Sequence, residues 1–226
     1  MDGQLHLWQG SCVEAPDDSY QGEVRPADLP GRRSGGQHPG LASLVFFDQP
    51  SFVAPDVLQA LLGLALPARP QDRHPWGNGD WHNDRIRYEL FVFAKGRLGQ
   101  PLGVSCFNLE ISLIYDDGQT PSITLGLIHQ GLAVPARWRG QGLGLALAHK
   151  TADIFAFQLE RLILEWRGQT LLINPLYAPR ITSHAGDALA EYLRHSLEDR
   201  LAGLHRLYEL ARAHLSLGQL IFDPLY

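Results

Sequence analysis

The eleven residues VPARWRGQGLG, Val134 to Gly144, place three glycines and two arginines between a run of apolar residues and an alanine-rich helical pattern. A helix start leaves backbone N–H groups unpaired and carries the positive end of the helix dipole, so it attracts phosphate. Glycines there let a ligand come close to the main chain, and the chemistry on offer is pyrophosphate binding. Two nucleotide templates do not fit. The segment does not end in the Lys-Ser/Thr pair of a P-loop, and Gly140, Gly142 and Gly144 alternate without the further glycine of a dinucleotide fingerprint.

Elements on either side must position that loop. ITLGLIHQGLAV, ending at Val134, reads as a strand. After the loop, Ala148, Ala152, Phe155, Leu159, Leu162 and Trp166 recur at spacings of four and three, which predicts one helix running to about Gly168. Upstream, IRYELFVFA and LGVSCFNLEISLIY are bounded by the turns KGRLGQP and DDGQTPS, so the three strands form an antiparallel meander. In the middle strand Phe107, Leu109, Ile111, Leu113 and Tyr115 alternate with Asn108, Glu110 and Ser112, which predicts a sheet with one buried face. LASLVFFD, residues 41 to 48, predicts a first strand, and APDVLQALLGLAL a helix with Pro55 and Asp56 in its first turn. Residues 67 to 84 are rich in Pro, Gly, Asn and Asp and read as a loop carrying Trp76 and Trp81. Thr170 to Asn174 predicts a strand. Leu189, Leu193, Leu197, Leu201, Leu204, Tyr208, Ala211 and Leu215 predict one long helix or two short ones, and QLIFDPLY one closing strand. Residues 1 to 40, with seven glycines and four prolines, read as an irregular arm; residues 41 to 226 read as one α/β domain.

Arg139, Gly142 and Gly144 fill the pattern R/QxxGxG/A five residues after the strand-ending Val134. In its strand–turn–helix setting the segment resembles the acetyl-CoA-binding motif of the GCN5-related N-acetyltransferase superfamily, a resemblance specific over residues 86 to 167. It implies an acyl-CoA N-acyltransferase fold, with a central mixed, mostly antiparallel sheet flanked by helices. It implies acetyl-CoA as co-substrate, its pantetheine arm along the main chain of Ala133 and Val134. The pyrophosphate then lies on the backbone of Arg139, Gly140, Gln141, Gly142, Leu143 and Gly144. The reaction implied is direct acyl transfer to an amine of a small molecule or protein. Two features depart from the family: the stretch from Asp187 to Leu215 leaves room for a single further strand where the family has two, and the arm of residues 1 to 40 is extra.

Such a transfer needs a base for the amine, an acid for the leaving thiolate and backbone donors for the oxyanion. The family's base commonly lies an even number of residues before the position of Val134, but Ile128, Gln130 and Leu132 cannot act as bases. His129 is the nearest titratable residue, on the opposite face by strict alternation unless a bulge shifts the register. It is either a base or a hydrogen-bonded structural histidine. Glu110 is a second candidate base, or a solvated side chain; Asp80, His82 and Asp84 are substrate-side candidates. Tyr192, four residues after Ala188, matches the family's spacing for the acid, with Tyr177 as its rival; either tyrosine could instead pack in the core. Trp76 and Trp81 beside Asp80 and Asp84 could cradle a cationic amine. The alternative to an enzyme is a catalytically silent acyl-CoA-binding or interaction module.

Composition narrows the remaining classes. A net charge of −5 over 226 residues supplies no basic field for nucleic acid, and no apolar run is long enough to cross a membrane. The N-terminus lacks the positive charge and apolar core of a secretory signal, and two cysteines allow at most one disulfide, so a cytoplasmic protein with reduced thiols is expected. Ten histidines form no HxxxH pair with a nearby third ligand and there is no CxxC, so no metal is expected. The amphipathic C-terminal helix offers a surface for a homodimer.

Overall fold

A computed structural model describes residues 44–48, 50–66, 83–94, 99–114, 120–181, 183–211 and 215–225. These residues build an α/β fold of one mixed sheet and three helices, in the order β1 (Leu44–Asp48), α1 (Pro55–Ala65), β2 (Asn83–Ala94), β3 (Gly103–Ile114), β4 (Ser122–Ala133), α2 (Leu143–Glu165), β5 (Leu171–Pro179), α3 (His184–Ala211), β6 (Leu215–Leu217) and β7 (Ile221–Phe222). The arm of residues 1 to 40 and most of the loop of residues 67 to 84 lie outside the described residues.

The sheet runs β1-β2-β3-β4-β5-β6, with β7 also paired to β5. β1 to β4 are antiparallel neighbours, as the meander predicts; β5 is parallel to β4 and to the two short last strands. Parallel neighbours need a crossover, and α2 and α3 supply the two. Both helices pack on one face of the sheet, where Leu147, Phe155, Leu159, Leu193 and Leu197 meet Phe107, Leu109, Leu125, Leu127 and Ile173. Arg200 of α3 ties the helices together, donating from Nε to Asp153 Oδ1 of α2 at 2.7 Å. α1, opened by Pro55 and Asp56, covers the other face with Leu61 and Ala65 against Phe91, Phe93, Val104 and Cys106.

Three expectations are corrected. The middle strand, β3, is covered on both faces rather than one, so Asn108 and Ser112 are buried as well as the apolar set. β5 runs five residues past Asn174, through Pro175. β6 pairs with Leu171 to Ile173 and β7 with Leu176 and Tyr177, so Pro175 falls in the gap between them, where a strand proline's missing N–H costs no ladder bond. The stripe from Leu189 is one helix that stops at Ala211. Leu215 sits four residues on and mimics its spacing, but buries itself as the first residue of β6, so two strands follow instead of one.

Candidate functional site

β4 and β5 separate before β4 ends. Their pairing stops at His129↔Pro179, and the Arg180 N–H to the His129 carbonyl, 2.9 Å, is the bond at the fork. Beyond it β5 turns to the C-terminal segment: Leu225 donates to the Pro179 carbonyl and Ile181 to the Leu225 carbonyl. β4 goes on to Ala133 with β3 alone. The divergence opens a cleft of about 550 Å³, the size of a small-molecule site. Leu64 to Leu66 at the end of α1 form one wall, and Pro179, Arg180, Ser183 and the first turns of α3 the other.

The glycine turn lies at the far end. Gly140 and Gly142 hold φ of 75° and 78°, left-handed values that a Cβ makes costly, which explains glycine at both. Gly142 is the N-cap of α2 and supplies no side chain to the helix's first amides, which therefore remain for a ligand. A Cβ at Gly144 would stand 3.8 Å from Leu132 and 4.0 Å from Leu189, in ordinary contact. Arg139 folds back, its Nε donating to the Val134 carbonyl at 3.0 Å, and so braces the turn. Gly140, Gly142, Leu143 and Gly144 line the same cleft as Ala133, Val134 and Arg139, so the turn and the free edge of β4 are brought together.

The bulge left open by sequence is present. Cys106 pairs with Gly131 and Phe107 with His129, so Gln130 is an extra residue of β4 with no ladder partner on β3 or β5. One inserted residue transfers His129 to the α2 face, the face shared by Leu125 and Leu127 before the bulge and Leu132 and Val134 after it. His129 lines the cleft, 5% exposed. Its Nε2 is 3.2 Å from Ser105 Oγ, and Ser105 Oγ is 3.1 Å from Thr151 Oγ1 of α2. Burial, which disfavours the imidazolium, lowers its pKa from 6.5 to about 4. Gly131 allows α1 to close on the bulge: a Cβ there would lie 2.1 Å from the Ala65 carbonyl oxygen.

Glu110, Tyr177 and Tyr192 are not among the described residues that line the cleft. Glu110 forms an ion pair with Arg85 across β2 and β3, 3.2 Å between Oε1 and Nε, because the register sets the two residues opposite each other. Tyr192 packs half-buried against the α2–α3 core, on the stripe of α3 that faces the sheet. Tyr177 is fully buried against Phe222, its hydroxyl without a hydrogen bond, and burial raises its pKa. Trp76, Asp80, Trp81 and His82 lie outside the described residues, and Asp84 falls at the start of β2. Sequence reasoning did not name Ser105, Thr151 or Arg180. The available signal was a serine and a threonine inside apolar stripes, since buried hydroxyls require partners. Among the described residues no group of three or more His, Cys, Asp or Glu could hold a metal, and no helix is long and apolar enough to cross a membrane.

No family model, no curated protein and no solved structure matches this chain.

Proposed function

We propose that the chain is an acyl-CoA-dependent N-acetyltransferase of the GCN5-related type, transferring an acyl group directly to an amine. One observation carries the reading: the uncapped start of α2 at Gly142 and the edge of β4 that β5 leaves open beyond His129 line a single cleft. The turn suits a diphosphate, because its amides and the helix dipole favour negative charge. The free edge from Gly131 to Val134 suits an amide-bearing arm, which adds to a strand through main-chain hydrogen bonds. Bound acetyl-CoA supplies an activated acyl carbon.

His129 is the base in this reading. It is the one imidazole, carboxylate or phenol among the described lining residues. With Nε2–H donating to Ser105 Oγ and the Ser105 hydroxyl donating to Thr151, Nδ1 keeps its lone pair for a proton from the amine, and the imidazolium returns that proton to the thiolate released as the C–S bond breaks. The bulge residue Gln130, outside both ladders and lining the cleft, has one main-chain N–H to offer developing negative charge. Burial of His129 favours a second reading, a silent acyl-CoA-binding module, because a pKa near 4 makes a weak base. Calorimetric titration with acetyl-CoA, followed by thiol release across an amine panel, tests both. Saturable binding with turnover supports the enzyme, binding without turnover on any amine supports the module, and no binding at millimolar ligand overturns both.

A further inference from the structure

The cleft carries an unusual balance of charge. Among its described lining residues are two arginines and His129, and neither Asp nor Glu. Arg139 is engaged with the Val134 carbonyl. Arg180 is different: its backbone N–H holds the fork at the His129 carbonyl, while its half-buried side chain forms no hydrogen bond or ion pair among the described residues. Leu176 and Ala178 pack with Ile128 on the face away from α2, and strand alternation assigns the Arg180 side chain to that face. His129 approaches the fork from the α2 side, so the two groups flank the closed end without competing.

We infer that the acceptor amine carries a carboxylate, as an α-amino acid or a peptide terminus does, held by the Arg180 guanidinium at the closed end of the cleft. The inference rests on the acyl-transfer reading for the word acceptor, while the carboxylate site stands on Arg180 and the cleft alone. A guanidinium presents paired N–H donors that match a carboxylate, and binds it more strongly where water is partly excluded. A phosphate of the coenzyme is the competing anion. The glycine turn that suits it begins past Ala133, three ladder positions or about 10 Å from the fork once the bulge at Gln130 is allowed for. A purely cationic acceptor would meet no described carboxylate here and would face Arg180 directly.

The test titrates the full chain with pairs of α-amino acids and their α-carboxamides, which differ only in the carboxylate, by calorimetry. Acetyl-CoA is titrated separately. At least one acid is expected to bind tenfold or more tightly than its amide. Arg180→Gln should erase that preference, and Arg180→Lys should keep part of it; both should leave acetyl-CoA affinity and the melting temperature unchanged. Equal binding of acid and amide, absence of binding in every pair, or a preference that survives Arg180→Gln overturns the inference. So does a loss of acetyl-CoA affinity in Arg180→Gln, which would assign the guanidinium to the coenzyme's phosphates. If acetyl-CoA fails to bind the wild type while the acid preference still depends on Arg180, the transferase reading falls and the carboxylate site stands.

Discussion

His129 Nε2 and Ser105 Oγ stand 3.2 Å apart across the ladder of β3 and β4, and Ser105 hands the contact on to Thr151 of α2. The imidazole is thus tied to β3 and, through Ser105, to α2, whose first turn lines the cleft. His129→Gln keeps an amide toward Ser105 and removes the proposed base, and should lower kcat about 100-fold with acetyl-CoA affinity unchanged. Ser105→Ala should cost about 1–3 kcal/mol of stability, since a buried imidazole nitrogen loses its hydrogen-bond partner, and should reduce kcat by a smaller factor. Steady-state kinetics and urea midpoints measure the two effects separately.

The same imidazole makes stability depend on pH. Its folded pKa is about 4 against an ordinary 6.5, so between those values the unfolded chain binds the extra proton. The stability is fully present above pH 6.5 and is lost as pH falls toward 4, by about 3 kcal/mol. Urea midpoints of His129→Gln should fall less steeply between pH 7 and pH 4.5 than those of wild type; parallel slopes would contradict this.

Gly144→Asp separates binding from folding. The new Cβ meets only ordinary contacts at 3.8 Å and 4.0 Å, and a carboxylate in the first turn of α2 favours the helix by about 0.3–1 kcal/mol. The melting temperature should hold or rise, while acetyl-CoA affinity should drop tenfold or more because the charge occupies the diphosphate's place. Unchanged affinity by calorimetry would refute the proposed role of the turn.

Gly131→Ala should be among the costly small changes in this chain. Its Cβ would press on the Ala65 carbonyl at 2.1 Å, backbone against backbone, so α1 or β4 must move, at about 1–3 kcal/mol. Gly63→Ala, with nothing within 4 Å on the exposed side of α1, should instead gain about 1 kcal/mol from helix propensity. Thermal melts of the two variants should move in opposite directions.

Cys106 is buried in β3, and burial pushes its thiol up to about 12. In a Cys12→Ser background a disulfide reagent at pH 8 should label Cys106 only as fast as the protein opens. Rapid stoichiometric labelling of native protein would contradict the burial.

Where the pattern of side chains was regular, the sequence was legible. The meander from β2 to β4, the helix after the glycine turn and the helix opened by Pro55 follow from periods of two and of 3.6. The extent of β5 is not legible locally: a proline inside a strand is allowed at Pro175 only by the gap between β6 and β7, a tertiary fact. The bulge at Gln130 has no composition of its own. The glycine beside it was the usable sign, since a strand glycine often marks a bulge or a close approach, and Gly131 is both. The surroundings of Glu110 and Tyr192 are not written in the period at all. Alternation assigns a face, but what stands over that face, Arg85 in one case and the α2–α3 core in the other, depends on register and on packing between helices.

α2 begins at the glycine turn and also carries Thr151, the last member of the hydroxyl chain behind His129. Eight residues of one rigid rod separate Leu143 from Thr151, about 12 Å of rise, alongside the four-residue span of β4. Strand and helix therefore act as two matched rulers. In the proposed reading, a molecule fits both ends at once only if its anionic head and its reacting tip are spaced to that gauge, which favours a long-armed coenzyme over a compact nucleotide.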